Sequence, residues 1–170
     1  MTNFIKNYML DKYLDLKLKM LKDENLLCSF PEDIKKIKRV YIIPDMDEID
    51  DHNLQNFQNS LRKLFPNVRI SLFQKKKLTV SNQNTIGAPN KAYLGRIKED
   101  AYDLLIDLNL VQNKICSFIA ANSGAPIRLN LASGDYDHVY NLHFRTGESK
   151  STEERYNNIL NYLKSLKPSK

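Results

Sequence analysis

The chain is poor in the residues on which several protein classes depend. Its 170 residues include no tryptophan and two cysteines, Cys28 and Cys116, which lie far apart among apolar neighbours. This pattern argues against a disulfide framework or a cysteine metal site and favours buried thiols in a reducing compartment. No apolar run approaches the roughly 18 residues that a membrane-spanning helix needs. The first 22 residues mix lysine with aspartate, so we expect no secretory signal and a cytoplasmic location.

Several motifs that carry chemistry are also missing. The chain contains no G-x-G-x-x-G, no G-x-x-x-x-G-K-S/T and no G-x-S-x-G. The sequence therefore contains none of the motifs that identify a dinucleotide-binding site, a P-loop NTPase or the nucleophile elbow of a hydrolase. The histidines His52, His138 and His143 show no spacing that forces them together, and the last two would face opposite sides of a strand. We predict no metal site and no cofactor.

The net charge of +6 raises the question of nucleic-acid binding. The lysines are spread along the chain, and the only clusters lie at 35–39 and 75–77. Nucleic-acid-binding domains show a basic stripe with interleaved aromatic residues, and no such stripe is present. The charge distribution therefore argues against a nucleic-acid partner.

The clearest fold signal is the segment 102–108, with the sequence YDLLIDL. Its apolar run is typical of a strand covered on both faces, as in parallel sheets. Similar patterns predict further strands and intervening helices (strands 39–43, 68–73, 127–131 and 138–144; helices 52–65, 111–122 and from 152). This alternation predicts an α/β protein, a three-layer Rossmann-like sandwich with a largely parallel sheet. Residues 74–98 are hard to assign, with a short strand at 78–80 as one interpretation.

The N-terminal residues predict an amphipathic helix over 3–22. Its apolar residues form one stripe at helical spacing, flanked by lysines (Ile5, Met9, Tyr13, Leu16 and Met20). Such a helix can lie on the inner face of a membrane with its lysines directed toward anionic headgroups. The alternative is that it packs on the domain, on a protein partner or on a second copy of the chain. Asp11 and Asp15 dilute the basic face, which favours packing.

The predicted organisation has three segments. Residues 1–37 form the helix and a polar joint, 38–166 form the Rossmann-like domain, and 167–170 form a disordered tail. At this length one domain with an added arm is the expected arrangement.

Several stretches resemble a known enzyme family in order and spacing. They are Val40–Ile43, the LRKLFPNVRI segment at 61–70, the strand at 102–108 and the SGAPIR segment at 123–128. Together with Glu154-Arg155-Tyr156, they resemble the N-terminal half of heptosyltransferase-type GT-B glycosyltransferases, bacterial enzymes that build the lipopolysaccharide core. The resemblance implies an acceptor-side domain over about residues 39–165, with Asp50 at the position of the family's loop aspartate.

Departures from the family pattern argue against activity. Ile49 replaces the glycine of the loop, and Leu129-Asn130 replaces a later glycine. A loop that needs the conformational freedom of glycine would be altered by this change. The donor-binding second half of GT-B enzymes has no counterpart in these residues. The resemblance therefore implies a degenerate, free-standing relative that needs a partner to supply the donor half if it acts on sugars.

Candidate site residues lie where strands end, because ligands of parallel α/β sheets bind beyond the carboxyl ends of the strands. Asp107 and Asn109 follow the 102–108 strand, and Asp45 and Asp50 lie in an acidic loop after the first strand. Asp50 is the candidate general base for an acceptor hydroxyl, and the loop could also hold Mg²⁺. The alternative is an acidic helix start, which we favour. Asp107 either orients a ligand or caps the helix near Val111.

Three functions remain as hypotheses. The first is a non-catalytic domain that binds a partner or small ligand at the carboxyl edge of the sheet. The second is a glycosyltransferase-type enzyme with Asp50 as base. The third is a membrane-surface adaptor that uses the N-terminal helix.

Overall fold

Alternating strands and helices fill most of the chain in a computed structural model, which describes residues 3–21, 32–45, 51–145 and 150–167. The strands are short (β1 Arg39–Ile43, β2 Arg69–Leu72, β3 Leu104–Asp107, β4 Ile127–Asn130 and β5 Leu142–His143). The helices vary more in length (α1 Asn3–Met20, α2 Glu32–Lys35, α3 Asp51–Leu64, α4 Lys91–Glu99, α5 Lys114–Asn122 and α6 Thr152–Leu166).

All five strands are parallel and lie in the order β2-β1-β3-β4-β5. This order is one of the two common doubly wound arrangements. Strands β3 and β4 and the apolar residues of β1 are buried, which explains the nearly continuous apolar sequences of β1 and β3. The predicted three-layer α/β sandwich with a parallel sheet is confirmed.

Two apolar clusters flank the sheet. On one face α3 and α6 pack together, and the rings of Phe57 and Tyr156 lie 4.8 Å apart between them. On the other face α4 and α5 cover the sheet with Tyr93, Phe118 and neighbouring side chains. The two layers account for how a short sheet buries both of its faces.

α1 belongs to the second layer. The β4–β5 connection, residues 131–141, contains one 3-10 turn at Asp137–Val139 and no α-helix. α1 packs beside α5 and this turn, with Leu14 and Leu18 fully buried. The Leu18 carbonyl accepts a hydrogen bond from His138 Nε2 at 2.9 Å. An N-terminal helix thus occupies the place beside α5 where a crossover helix would otherwise lie.

Some predicted elements are wrong. Residues 78–80 form no strand: they lie in and between 3-10 turns at Lys75–Lys77 and Val80–Asn82. Residues 91–99, in the region that was hard to assign from the sequence, form a helix capped by Asn90, whose side chain accepts a hydrogen bond from the Tyr93 backbone N–H. β5 has two residues, because the chain before it forms a 3-10 turn. Of the predicted tail at 167–170, Lys167 is described and its Nζ donates to the Leu64 carbonyl at 2.9 Å, whereas 168–170 lie outside the described residues. The predicted domain boundaries stay a prediction.

Candidate functional site at the carboxyl edge of the sheet

The carboxyl ends of β1 and β3 lie side by side, with Ile43 in register with Asp107. The strand order reverses between these two strands, and doubly wound proteins bind ligands in the crevice at such a point. The structure brings three of the predicted residues to this edge: Asp45 just after β1, Asp107 at the end of β3, and Asn109 two residues later. The fourth, Asp50, lies outside the described residues.

Asp107 is the centre of a buried hydrogen-bond network. Its side chain is 4% exposed, and Tyr140 Oη donates to its Oδ2 at 2.6 Å. The Asn109 backbone N–H and Nδ2 donate to its Oδ1 at 3.1 and 2.6 Å. Tyr140 also lies 3.3 Å from the Ser117 hydroxyl, which links β3 to α5 and to the 3-10 turn. Asp107 does not cap a helix: α5 begins at Lys114, with Asn113 as its cap.

Burial dominates the electrostatics of this network. It raises the pKa of Asp107, although the hydrogen bonds from Tyr140 and Asn109 act in the opposite direction. The nearby charge of Asp45 raises the pKa of Asp107 further. Burial, and then the charge of Asp107, raises the pKa of Tyr140. Tyr140 therefore stays protonated and acts as a hydrogen-bond donor.

Cys116 lies next to the network but has no features of a nucleophile. Burial raises the pKa of its thiol, and the charge of Asp107 adds to this effect. The reactive form of cysteine is the thiolate, which is favoured by exposed, electropositive surroundings. Cys116 is buried and protonated, as the sequence analysis expected. Cys28 lies outside the described residues.

A second polar cluster, which the sequence analysis missed, lies at the ends of β4 and β5. Arg145 donates to the Asn130 side chain at 3.2 Å and to the Leu131 carbonyl at 3.2 Å, and it pairs with Asp137 at 3.0 Å. Gln112 Nε2 donates to Asp137 at 2.8 Å and so joins the loop after β3 to the loop after β4. The cluster holds these loops by internal bonds. A sequence signal for this cluster was Asn130, a polar residue at the end of a predicted core strand.

The histidines serve separate contacts. His138 forms a hydrogen bond with the Leu18 carbonyl of α1, and His143 Nδ1 lies 3.0 Å from the Asn130 side-chain oxygen. In the described part of the chain no three histidine, cysteine or acidic residues are grouped as a metal site would require. The absence of a cofactor stays a prediction.

The described part of the carboxyl edge offers little free space. A cleft on the α6 side, lined by Asp45, Leu108, Arg155 and neighbouring residues, has a volume of about 10 Å³. Such a volume holds about one water molecule. Drug-sized ligands occupy clefts of ~300–1,000 Å³. Asp107 and Asn109 are buried and hydrogen-bonded to each other. Their side chains therefore stabilise this edge of the sheet and are not exposed to a ligand.

An exposed apolar surface lies elsewhere, on the side of α1 that faces away from the domain. We call it the outer face of α1, and its members range from 41% exposed for Met9 to 81% for Phe4 (Phe4, Ile5, Tyr8, Met9, Leu16 and Met20). Most of the predicted stripe is therefore directed outward, and a second apolar row, including Leu14 and Leu18, is the one that packs. α1 is apolar on two sides, which differs from the predicted amphipathic helix.

Comparisons with known proteins complete the description. Across the described residues, no helix combines the length and the hydropathy that are needed to cross a bilayer. None of the curated proteins matches the chain at a significant level. A family model does match, and it covers residues 6–166, from the first turns of α1 to the end of α6. The chain therefore belongs to the family of unknown function DUF6913.

Proposed function

We propose that the protein is a non-catalytic docking domain that lies against an anionic membrane surface through the outer face of α1. The proposal rests on six large apolar side chains of α1 that are exposed, while the opposite side of this helix packs against the domain. At ~150–200 Å² for each large side chain, the exposed fractions amount to roughly 600 Å². Typical monomers expose apolar patches of at most ~300–600 Å², and these often have a function.

The charges of α1 support an anionic surface. Asp11 pairs with Lys114 of α5, and Asp15 accepts a hydrogen bond from Tyr136 Oη at 2.7 Å. Asp11 thus pairs with a lysine of the domain, whereas Asp15 also forms a salt bridge of 2.9 Å with Lys19 of α1 and offsets the charge of that lysine. Lys12 lies among the exposed apolar side chains, with its Nζ 5.7 Å from the centre of the Tyr8 ring. Apolar side chains with interspersed lysines are typical of helices that lie on membranes.

The same charges argue against a second copy as the occupant. The apolar row runs from Ile5 to Met20, so its centre falls at Lys12. A two-fold pair of α1 helices would bring Lys12 opposite Lys12 of the other copy, whether the helices run parallel or antiparallel. Like charges in contact at an apolar interface are unfavourable. A membrane surface instead lets each lysine extend to a headgroup.

Vesicle co-sedimentation of the full chain tests this proposal. We expect binding to vesicles of phosphatidylglycerol and phosphatidylcholine, and much weaker binding to phosphatidylcholine alone. The variant Ile5→Ser/Met9→Ser/Leu16→Ser removes part of the apolar face. At ~1 kcal/mol for each half-exposed side chain, the loss is about 3 kcal/mol, or roughly a hundredfold in the partition coefficient.

Val80→Ser/Val111→Ser is the matched control, because both valines are exposed and lie far from α1 in sequence, at a 3-10 turn and in the loop after β3. It should bind vesicles like the unmodified protein. Equal binding by the triple variant would refute the proposal. A second result would also refute the proposal: the unmodified protein fails to bind vesicles, forms a dimer in analytical ultracentrifugation, and loses this dimer in the triple variant. The outer face of α1 would then contact a second copy of the chain.

A second candidate is ligand binding at the carboxyl edge, in keeping with the proposed kinship to the acceptor half of GT-B glycosyltransferases. The buried Asp107 lies at the reversal of strand order and has a raised pKa, which favours this candidate because carboxyls with raised pKa concentrate at functional sites. Calorimetric titration with nucleotide sugars and sugar phosphates tests this candidate. Saturable binding that Asp107→Asn weakens would support it, and no heat above dilution with any of these compounds would refute it.

A further inference from the structure

A groove much larger than the carboxyl-edge cleft lies on the layer that α1 completes. Its volume is about 590 Å³, within the range of small-molecule sites. It lies between the C-terminal part of α1, the loop before α4, α4 itself and α5 (lining residues include Tyr13, Lys17, Asn90, Lys91, Leu94 and Phe118). We call it the α1–α4 groove. It is separate from the carboxyl-edge residues described above.

Aromatic and aliphatic side chains form the walls of the α1–α4 groove. The rings of Tyr13 and Phe118 meet edge to face, with centroids 6.3 Å apart and an interplanar angle of 72°. Leu94 and Pro89 add aliphatic surface from the α4 side. Mostly apolar walls with a few fixed polar groups are the usual composition of ligand sites. The body of a ligand here is therefore apolar.

The asparagines that line the groove are already fixed by internal hydrogen bonds. Asn84 accepts from the backbone N–H groups of Ile86 and Ala88, at 3.2 and 3.0 Å. Asn90 caps α4, and Asn122 Nδ2 donates to the Phe118 carbonyl at 2.8 Å. These bonds hold the walls in place, so a ligand meets a largely pre-formed shape and less ordering cost opposes its binding.

The described residues that line the groove carry charge of one sign. Two lysines, Lys17 and Lys91, are among them, and no aspartate or glutamate is. Among the described residues neither lysine forms a salt bridge, and Lys17 Nζ lies 5.9 Å from the centre of the Tyr13 ring. Lys91 is the first residue of α4, where the helix dipole adds positive potential. An anionic group is therefore the electrostatic complement of these two lysines.

From these observations we infer that the α1–α4 groove binds a small amphipathic anion, an apolar chain or ring that carries a phosphate or carboxylate. The apolar part packs against Tyr13, Leu94 and Phe118, and the anionic group lies between Lys17 and Lys91. This inference does not depend on membrane docking, because the outer face of α1 and the groove share only Met20.

Calorimetric titration of the full chain with decyl phosphate, below its micelle concentration, tests the inference. Decanol and inorganic phosphate serve as probes of the two halves of the ligand. We expect saturable one-site binding of decyl phosphate, and at least roughly tenfold weaker binding of either half alone. No saturable binding of decyl phosphate, or binding of decanol as tight, would overturn the inference.

Charge variants locate the site. Lys17→Gln/Lys91→Gln should weaken decyl phosphate binding roughly tenfold and leave decanol binding unchanged. Lys76→Gln/Lys77→Gln removes the same charge from exposed lysines outside the groove and should leave both unchanged. Thermal unfolding of each variant verifies that it folds. Equal loss in both double variants would show a general charge effect and contradict the assignment.

Vesicles distinguish a free anion from a membrane lipid as the source. If Lys17→Gln/Lys91→Gln reduces binding of both decyl phosphate and phosphatidylglycerol vesicles, the groove takes its anion from the lipid. If it reduces only decyl phosphate binding, the ligand is a free anion. The Ile5→Ser/Met9→Ser/Leu16→Ser variant should keep its decyl phosphate affinity in either case, so failure of the docking proposal and failure of this one give different results.

Discussion

Tyr140→Phe is the most direct perturbation of the buried network at the carboxyl edge. It removes the hydroxyl that donates to Asp107 Oδ2 at 2.6 Å and leaves a buried carboxylate with fewer donors. Hydrogen bonds to charged groups contribute ~1.5–3 kcal/mol, so we expect a loss of about 2 kcal/mol in the free energy of unfolding. For a chain of this size, that corresponds to a decrease of roughly 4–8 °C in Tm.

The loss should depend on pH. Burial raises the pKa of Asp107 in the folded protein, so its contribution to stability is greatest below its ordinary value of 3.8 and falls as pH rises through the raised pKa. Removing the Tyr140 donor removes an interaction that lowers this pKa, so the unfavourable ionisation becomes more costly. Urea unfolding followed by circular dichroism should show a larger effect of Tyr140→Phe at pH 8 than at pH 5.

Two controls make this reasoning refutable. Tyr102→Phe is the same chemical change beside an exposed carboxylate, since Tyr102 Oη donates to Asp100 Oδ2 at 2.8 Å near the surface. It should cost at most about 1 kcal/mol. In an Asp107→Asn background, Tyr140→Phe should cost the same at both pH values. Equal costs for Tyr140→Phe and Tyr102→Phe, or no pH dependence in the unmodified background, would contradict the central role of Asp107.

Further predictions concern α1 and two glycines, and urea unfolding measures all of them. Leu18→Ala should lower the free energy of unfolding by about 2–4 kcal/mol, because Leu18 is fully buried. Leu16 is 60% exposed, so Leu16→Ala should change it by less than ~0.5 kcal/mol. Similar losses for the two variants would show that both sides of α1 are packed. Gly95→Ala should stabilise α4 by ~0.5–1 kcal/mol, since its Cβ would meet no atom within 4 Å. Gly124→Ala should destabilise by about 1 kcal/mol, because its φ is +74°; a gain there would contradict this reading.

The sequence predicted the sheet well because its strands are buried on both faces. Residues 40–43 and 104–106 form apolar runs that have few other interpretations, and Ile127 and Leu129 of β4 alternate with polar residues. The ends of helices were also readable where a local side chain decides them. Ser151 and Glu154 form the capping box at the start of α6, and Gly124 has the positive φ expected after α5.

Polar side-chain contacts that decide local structure could not be predicted from the hydrophobic pattern. The apolar and β-branched residues at 78–80 favour a strand, but Asn82 and Gln83 donate to the backbone carbonyls of Lys77 and Leu78 and stabilise turns instead. Tyr140 was assigned to a strand, although its hydroxyl contacts Asp107, 33 positions earlier. The contact between Tyr140 and Asp107 depends on how the layers of the fold meet. The hydrophobic periodicity of a segment contains no information about such a contact.

The orientation of α1 was ambiguous for a similar reason. Its apolar residues fall in two rows, one with Leu14 and Leu18 and one with Ile5, Met9 and Leu16. Periodicity identifies the helix but does not decide which row contacts the protein. Contacts from Tyr136, His138 and Lys114, which are distant in sequence, decide it.

The substitution of α1 for a crossover helix has a practical consequence for deletion experiments. Without residues 3–21, the apolar side chains of Tyr136 and Val139 would lose a covering and meet water. A chain without α1 could therefore lose binding either because it unfolds or because the contact surface is gone. A single binding measurement cannot separate these two causes. Single exchanges on the solvent side of the helix avoid this confusion, since they leave the inward leucines in place.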